Sequence, residues 1–166
     1  MKKVHVHTFN TKFGTVRTAA TDRGLALLVL PGVPRDRFER LVASHFSDFD
    51  ITVAHSINLQ AEKQIAEYLS GSRRSFQLKL DLQGTPFQIM TLKQVARIPY
   101  GKTRTYGEIA AAIGHPGAAR AVGSANARNR LPLVIPCHRV VAASDIGGYG
   151  GGRDLKQKLL TLEGAL

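Results

Sequence analysis

The stretch Leu131-Pro132-Leu133-Val134-Ile135-Pro136-Cys137-His138-Arg139-Val140-Val141 is apolar at both ends and carries a short polar segment in its middle. Cys137 in that segment is the only cysteine of the 166-residue chain. A thiol becomes a nucleophile when it ionises, and a neighbouring cation or base favours ionisation. A lone cysteine can equally be a small buried hydrophobe. These residues alone therefore leave a nucleophile and a packing residue as alternatives.

The charge of the chain is strongly basic and unevenly distributed. The net charge is +11, and residues 85–166 contribute +7 of it, from 11 Lys and Arg against 4 Asp and Glu. A basic surface attracts phosphate backbones without reading their sequence. The charge therefore favours a nucleic-acid partner, and a soluble basic protein without such a partner is the alternative.

The composition also bears on the compartment. No apolar run approaches the roughly 20 residues that span a membrane, and the residues after Met1-Lys2-Lys3 alternate instead of forming a signal-peptide core. A single cysteine excludes an internal disulfide and a cysteine-based zinc site. We expect no membrane contact and a cytoplasmic protein, nucleoid-associated if bacterial, that acts as a monomer.

The first half of the chain predicts a small α/β domain. Alternating or continuous apolar residues predict strands near residues 4–7, 16–20, 25–30 and 76–82. Helices are predicted from Pro34 onward and over residues 59–69. His5 and His7 share a strand face, but no third ligand is evident, so no metal site is predicted.

The second half of the chain reads as helical. Thr85 with Gln88 predicts a capping box, and Thr105 with Glu108 predicts another. Further helices are predicted over residues 118–127, after a glycine-containing turn, and from about residue 155. Two short helices joined by such a turn indicate a helix-turn-helix, although many such pairs bind nothing. A glycine-rich loop follows, Ile146-Gly147-Gly148-Tyr149-Gly150-Gly151-Gly152. It lacks the Gly-Lys-Ser/Thr ending of a nucleotide P-loop, and its glycines allow a ligand to approach closely.

The string Ile-Pro-Cys-His-Arg-Val at residues 135–140 closely resembles the active-site motif of the O6-alkylguanine-DNA alkyltransferases, or methylated-DNA–protein-cysteine methyltransferases. The resemblance covers about residues 85–166 and is weak before residue 80. It implies direct DNA repair, in which an alkyl group moves from O6-alkylguanine, and from O4-alkylthymine, to Cys137. Such a transfer is stoichiometric and irreversible, and it uses no cofactor.

The resemblance also implies how the domains are arranged along the chain. We predict an α+β fold, with a small α/β domain over residues 1–83. A helical, winged-helix-like DNA-binding domain with the helix-turn-helix follows over residues 84–166. The partner implied is double-stranded DNA containing O6-alkylguanine, bound through the minor groove.

Catalytic roles are likewise implied by the resemblance. The thiol of Cys137 would be activated through a water by His138, which Glu163 would hold as the third member of a triad does. This relay would depress the pKa of the thiol. Asn129 would brace the active-site turn. Without the resemblance, Glu163 would be read as a solvated carboxylate at a helix end.

Substrate and DNA contacts follow from the same comparison. The family's recognition helix resembles one segment of the chain, Pro116-Gly117-Ala118-Ala119-Arg120-Ala121-Val122-Gly123. Arg120 matches the arginine that replaces the extruded nucleotide. Its small residues would let the helix approach a minor groove only about 6 Å wide. Tyr106 would help to extrude the base and would donate to the purine ring. Pro132, Tyr149, Gly150 and Gly151 would enclose the substrate, and Ala118, Ala119 and Gly123 would face DNA.

Two positions depart from the family pattern, and two other functions remain open. Arg130 stands where the family usually has proline, and Leu92 where tryptophan is common. The alkyltransferase-like proteins that bind lesions without repairing them replace the cysteine by tryptophan, whereas this chain keeps Cys137. A DNA-binding module without chemistry and a Cys-His hydrolase are the alternatives, although no oxyanion-hole motif supports the hydrolase.

Overall fold

A computed structural model describes all 166 residues of the chain. The fold is α+β, as predicted, and the chain forms two compact units, Met1–Leu82 and Gln83–Leu166. No helix in it combines the length and the apolar character needed to cross a membrane.

The first unit is built on a four-stranded sheet. Its strands are β1 (Lys3–Thr11), β2 (Gly14–Thr21), β3 (Gly24–Val29) and β4 (Asp50–Thr52). The strand order is β3-β2-β1-β4, antiparallel through β1, β2 and β3, with β4 parallel to β1. The three predicted strands in residues 4–30 are therefore confirmed, whereas β4, only three residues long, was not foreseen.

Two helices cover the opposite faces of this sheet. Helix α1 (Arg35–His45) places Phe38 and Val42 in a core cluster with Ala19 of β2. Helix α2 (Ser56–Leu69) bonds to the other face, where Asn58 Nδ2 donates to Thr18 Oγ1 at 3.0 Å. Because Thr18 and Ala19 are consecutive in a strand, their side chains point to opposite faces.

The strand predicted over residues 76–82 is wrong. Only one isolated bridge forms there, between Leu25 and Leu80. The side chain of Gln64 forms two hydrogen bonds with the backbone of Gln77. Its Oε1 accepts from the Gln77 N–H at 2.8 Å, and its Nε2 donates to the Gln77 carbonyl at 3.1 Å. These bonds satisfy groups that a strand partner would otherwise use, so the alternating pattern marks an extended segment and not a sheet strand.

The second unit is mainly helical. Its helices are α3 (Pro86–Val95), α4 (Tyr106–Ala112), α5 (Ala119–Ala127) and α6 (Arg153–Leu162), beside a parallel pair of short strands, β5 (Arg104–Thr105) and β6 (Val140–Val141). Both predicted capping boxes are present, with Thr85 paired to Gln88 and Thr105 paired to Glu108. Helices α4 and α5 are joined by a turn that begins with Gly114 at φ +80°. The predicted pair of helices is therefore confirmed.

Candidate active site

A tight turn at residues 129–136 leads into the active-site segment. Asn129 bonds to the turn at both ends: its Nδ2 donates to the Ile135 carbonyl at 3.0 Å, and its Oδ1 accepts from the Leu131 N–H at 2.9 Å. Within the turn, Leu133 has φ +72°, a conformation that costs a non-glycine residue roughly 1 kcal/mol or more. The two Asn129 bonds hold this turn in place, and Cys137 then opens a short 3₁₀ turn, Cys137–Arg139.

The thiol of Cys137 is buried at 7% exposure. Burial raises the pKa of this thiol above its usual range, because the thiolate loses its water. A hydrogen bond from Asn129, the charge of Lys156 and the backbone N–H groups of Cys137 and His138 oppose that effect. The expectation of a depressed thiol pKa is therefore wrong for the resting protein, whose cysteine keeps its proton.

His138 and Glu163 meet behind the cysteine. His138 Nε2 lies 2.6 Å from Glu163 Oε2, and both side chains are inaccessible to solvent. Burial lowers the pKa of His138, although Glu163 pulls it upward, so the imidazole is neutral. Because a carboxylate can only accept, Nε2 carries the hydrogen, and Nδ1 is left as the basic nitrogen. The histidine is thus held in the form of a general base.

Glu163 also bonds to a buried arginine that the sequence did not single out. Arg139 donates to the carboxylate from Nε at 2.8 Å and from Nη2 at 3.0 Å, and the backbone N–H of Gly101 donates at 3.1 Å. The third guanidinium nitrogen, Nη1, donates to the Ile98 carbonyl at 2.7 Å. The arginine balances the charge of Glu163, which leaves the histidine free to stay neutral.

A cavity of about 320 Å³ opens at the thiol. Such a volume lies at the lower end of the range for ligand pockets. Its lining comprises Tyr106, Gly123, Asn126, Ala127, Cys137, Gly148, Tyr149 and Gly150. The predicted substrate residues Pro132 and Gly151 are not among them. Asn126, Ala127 and Gly148 were not foreseen, because no motif distinguishes them from their neighbours.

Tyr106 stands at one side of this cavity, at the first residue of α4. A Cβ on Gly147 would lie 3.1 Å from the Tyr106 hydroxyl oxygen, and Gly147 has φ +74°, so glycine is required there. Burial, and to a smaller extent the charge of Asp145, raise the pKa of Tyr106. Its hydroxyl therefore stays protonated and can donate a hydrogen bond.

Helix α5 presents the small residues predicted to face DNA. Its inward side chains are Val122 and Ala125, whereas Arg120 is exposed. Ala118 caps the helix, and Ala118 and Ala119 are half-buried. A Cβ on Gly123 would lie 3.9 Å from the Tyr106 ring, so this face of the helix borders the cavity.

Comparison with known proteins agrees with the motif. The family model described as 6-O-methylguanine DNA methyltransferase, DNA binding domain, matches residues 86–165. A methylated-DNA–protein-cysteine methyltransferase of Mycolicibacterium paratuberculosis is 53% identical over 104 residues, 62% of this chain and 63% of that protein. One of Methanosarcina acetivorans is 49% identical over 107 residues, 64% of this chain and 69% of that protein. The match to the mycobacterial relative thus spans less than two thirds of its length.

Solved structures extend the similarity along the chain. Mycobacterium tuberculosis OGT in complex with DNA has a TM-score of 0.82 and 37% identity, covering 97% of this chain and 93% of that one. The O6-methylguanine-DNA methyltransferase of the archaeon Pyrococcus kodakaraensis has a TM-score of 0.70 and 26% identity, covering 97% and 99%. The chain therefore belongs to the methylated-DNA–protein-cysteine methyltransferase family.

Proposed function

We propose that this protein repairs DNA directly, by transferring the alkyl group of O6-alkylguanine, and of O4-alkylthymine, to its own Cys137. The observation that carries the proposal is a single buried thiol at the wall of a base-sized cavity, backed by the His138–Glu163 pair. Each molecule acts once, because a thioether has no leaving group that would restore the thiol.

The reaction exchanges one proton for one alkyl group. The thiol proton passes to the neutral imidazole of His138, by way of a water as the family resemblance implies, and Glu163 stabilises the resulting cation. The sulfur then bonds to the alkyl carbon while the bond from that carbon to O6 breaks, leaving its electrons on the guanine. His138 then gives up the proton that it took, and the purine ring takes up one proton through water, which completes the products, an S-alkylcysteine and an ordinary guanine. The whole exchange is neutral and needs no cofactor.

Tyr106 and the glycine-rich loop act on the base. The protonated hydroxyl of Tyr106 donates to the purine as negative charge develops on it. Tyr149 and Gly150, which also line the cavity, enclose the base. Pro132, buried in the turn before the cysteine, and Gly151 would support these walls without lining them.

DNA would bind through the minor groove. The exposed, small-residue side of α5 suits a narrow groove, and Arg120 would occupy the gap left by the extruded nucleotide. Ala118, Ala119 and Gly123 allow the close approach. The solved mycobacterial relative is in complex with DNA. We further propose that the protein binds as a monomer in the cytoplasm, associated with the nucleoid if bacterial.

Intact mass spectrometry tests this proposal. After incubation with a duplex containing O6-methylguanine, the protein should gain one methyl group, and peptide mapping should place it on Cys137. Cys137→Ala should gain nothing and still bind the duplex. Binding without a mass increase in the wild type would indicate a lesion-binding module, and hydrolysis of an ester probe by Cys137 would indicate the hydrolase.

A further inference from the structure

A groove of about 730 Å³ lies within the first unit, between helix α1 and the strands β1 and β4. Its volume falls in the range of ligand sites. Phe38 and Val42 of α1 and Val6 of β1 form its apolar floor, and Ile51 and Val53 extend it outward. These last two side chains are 61% and 83% exposed, so the groove ends in an apolar surface that nothing covers.

The groove reaches the backbone of β1 along an open edge of the sheet. Val6, His7 and Thr8 line it in succession. The side chain of His7 nevertheless points to the other face, where its Nε2 bonds to Glu62 of α2 at 2.9 Å. The groove therefore meets His7 through its backbone. Strand β4 pairs with β1 only over Lys3–His5, and no other strand lies on that side of β1.

The register shows which backbone groups stand at this edge. The Asp50 N–H donates to the Lys2 carbonyl at 2.9 Å. Because successive residues of a strand direct their backbone groups to alternate sides, the even-numbered residues of β1 face the β4 side. Beyond the end of β4 these are Thr8 and Asn10, both of which are exposed. Their N–H and C=O groups are available to an added strand.

The other edge of the sheet is covered. The N–H of Leu25 in β3 donates to the Lys79 carbonyl at 2.8 Å, and the Leu25 carbonyl accepts from the Asp81 N–H at 2.8 Å. Proteins often protect an uncovered edge with lysine or proline. The segment Val-His-Thr-Phe-Asn at residues 6–10 contains neither. An open edge beside an apolar groove is the geometry that binds an extended peptide by strand addition.

The groove also holds one charge without an acidic partner. Arg35 Nε bonds to Glu39 Oε1 at 2.8 Å, which pairs those two charges. Arg17 lies directly opposite Thr8 in the sheet, so its side chain stands on the groove face. It is half-buried and forms no salt bridge, and its Nη1 donates to the Val33 carbonyl at 3.2 Å. A guanidinium in such a place favours a carboxylate.

We propose that the edge of β1 from Val6 to Asn10 is a docking site for an extended, acidic segment of a partner protein. The segment adds as a strand beside Thr8 and Asn10, so that alternate side chains enter the groove. Apolar side chains contact Phe38 and Val42, and an acidic one pairs with Arg17. A second copy of this chain is a poorer occupant, because two such edges would bring two Arg17 side chains together on molecules of charge +11 each.

The test uses the full chain and a rhodamine-labelled peptide, Thr-Val-Thr-Ile-Thr-Glu-Thr, whose valine, isoleucine and glutamate share one face of a strand. Fluorescence anisotropy should show saturable binding with a Kd below about 1 mM. Arg17→Met should weaken binding about tenfold or more, the loss expected for a hydrogen bond between charged groups. It should also abolish the preference over a peptide with glutamine in place of glutamate. Arg37→Met, a change at an exposed arginine of α1 outside the groove, should keep the affinity and the preference.

Thr8→Pro tests the backbone pairing. Proline removes an N–H that faces the open edge, so the sheet should tolerate it and the melting temperature should stay close to that of the wild type. Peptide binding should be lost. In the wild type, the peptide should slow hydrogen exchange at the N–H groups of Thr8 and Asn10, as measured by NMR. The reactivity of Cys137 toward iodoacetamide should be the same in all variants, because none of these positions lines its cavity.

Three results would overturn the proposal: no saturable binding to the wild type, equal affinity for the glutamate and glutamine peptides, or an unchanged affinity in a folded Thr8→Pro variant. The comparison of the two peptides on the wild type decides the question even where a variant does not fold. A wild type that sediments as a dimer, and becomes a monomer in Thr8→Pro, would place a second copy of the chain at this edge and would also overturn the proposal.

Discussion

Glu163→Gln should destabilise the protein as well as slow its chemistry. The carboxylate accepts from His138 Nε2 at 2.6 Å and from two Arg139 nitrogens at 2.8 and 3.0 Å. Glutamine can replace one of these acceptors, but its amide carries no charge. The variant therefore leaves Arg139, only 7% exposed, as a buried cation without a partner.

The size of the effect follows from that burial. Removing one partner of a buried ion pair costs about 3–5 kcal/mol, because the other charge remains desolvated. In a unit the size of Gln83–Leu166 this corresponds to a fall in melting temperature of more than about 12 °C. Alkyl transfer to Cys137 should also slow by about 10²–10⁴-fold, as when general-base catalysis is lost.

A second substitution separates the two effects. Arg139→Met in the Glu163→Gln background removes the stranded charge, so only about 1–3 kcal/mol should remain lost, for the Ile98 carbonyl left without its donor. The transfer rate should stay low. Urea unfolding followed by circular dichroism, with rates from intact mass, measures both quantities. Recovery of the rate together with the stability, or a single variant as stable as the wild type, would refute the reasoning.

Three further outcomes concern Arg120, the salt dependence of binding and His138. Arg120→Ala should slow transfer from duplex DNA strongly and leave the reaction with free O6-benzylguanine almost unchanged, since only the duplex requires extrusion. If both rates fall by the same factor, Arg120 stabilises the fold or the active site instead of the extruded state. Duplex affinity, measured by fluorescence anisotropy, should fall steeply with salt, and a flat dependence would contradict binding by phosphate contacts. Burial lowers the pKa of His138, so below pH 6.5 the unfolded chain takes up a proton that the folded one refuses. Stability should then fall by up to about 1.4 kcal/mol per pH unit, a slope that His138→Gln should reduce.

Local structure was largely predictable from the sequence. The capping boxes at Thr85 and Thr105 involve residues three positions apart, so their chemistry is visible in a short window. The strand predicted over residues 76–82 was not correct, because its outcome depends on Gln64, a residue of another element that bonds to its backbone. The alternation of apolar and polar residues along one segment cannot reveal that a side chain from elsewhere in the chain will take up the backbone hydrogen bonds of that segment.

The active site divides in the same way. The resemblance pointed to Cys137, His138 and Glu163, and the fold brings the latter two within 2.6 Å. Arg139 was missed because an ordinary basic residue acquires a role only when the fold buries it beside an acid. The direction of the thiol pKa was wrong for a related reason: neighbouring residue types suggest activation, but the degree of burial decides the sign.

The raised thiol pKa and the lowered histidine pKa have a common consequence. Together they keep the proton on Cys137 while the cavity is empty, since neither the thiolate nor the imidazolium is favoured in that buried site. Under the proposed mechanism, proton transfer becomes favourable when a base fills the cavity and Tyr106 can stabilise the leaving purine. Under the proposed function each molecule acts once and would be consumed by any electrophile that its cysteine meets, so a thiol that stays protonated until its substrate arrives would preserve the molecule for DNA. Burial of the nucleophile therefore favours selectivity at the expense of intrinsic reactivity.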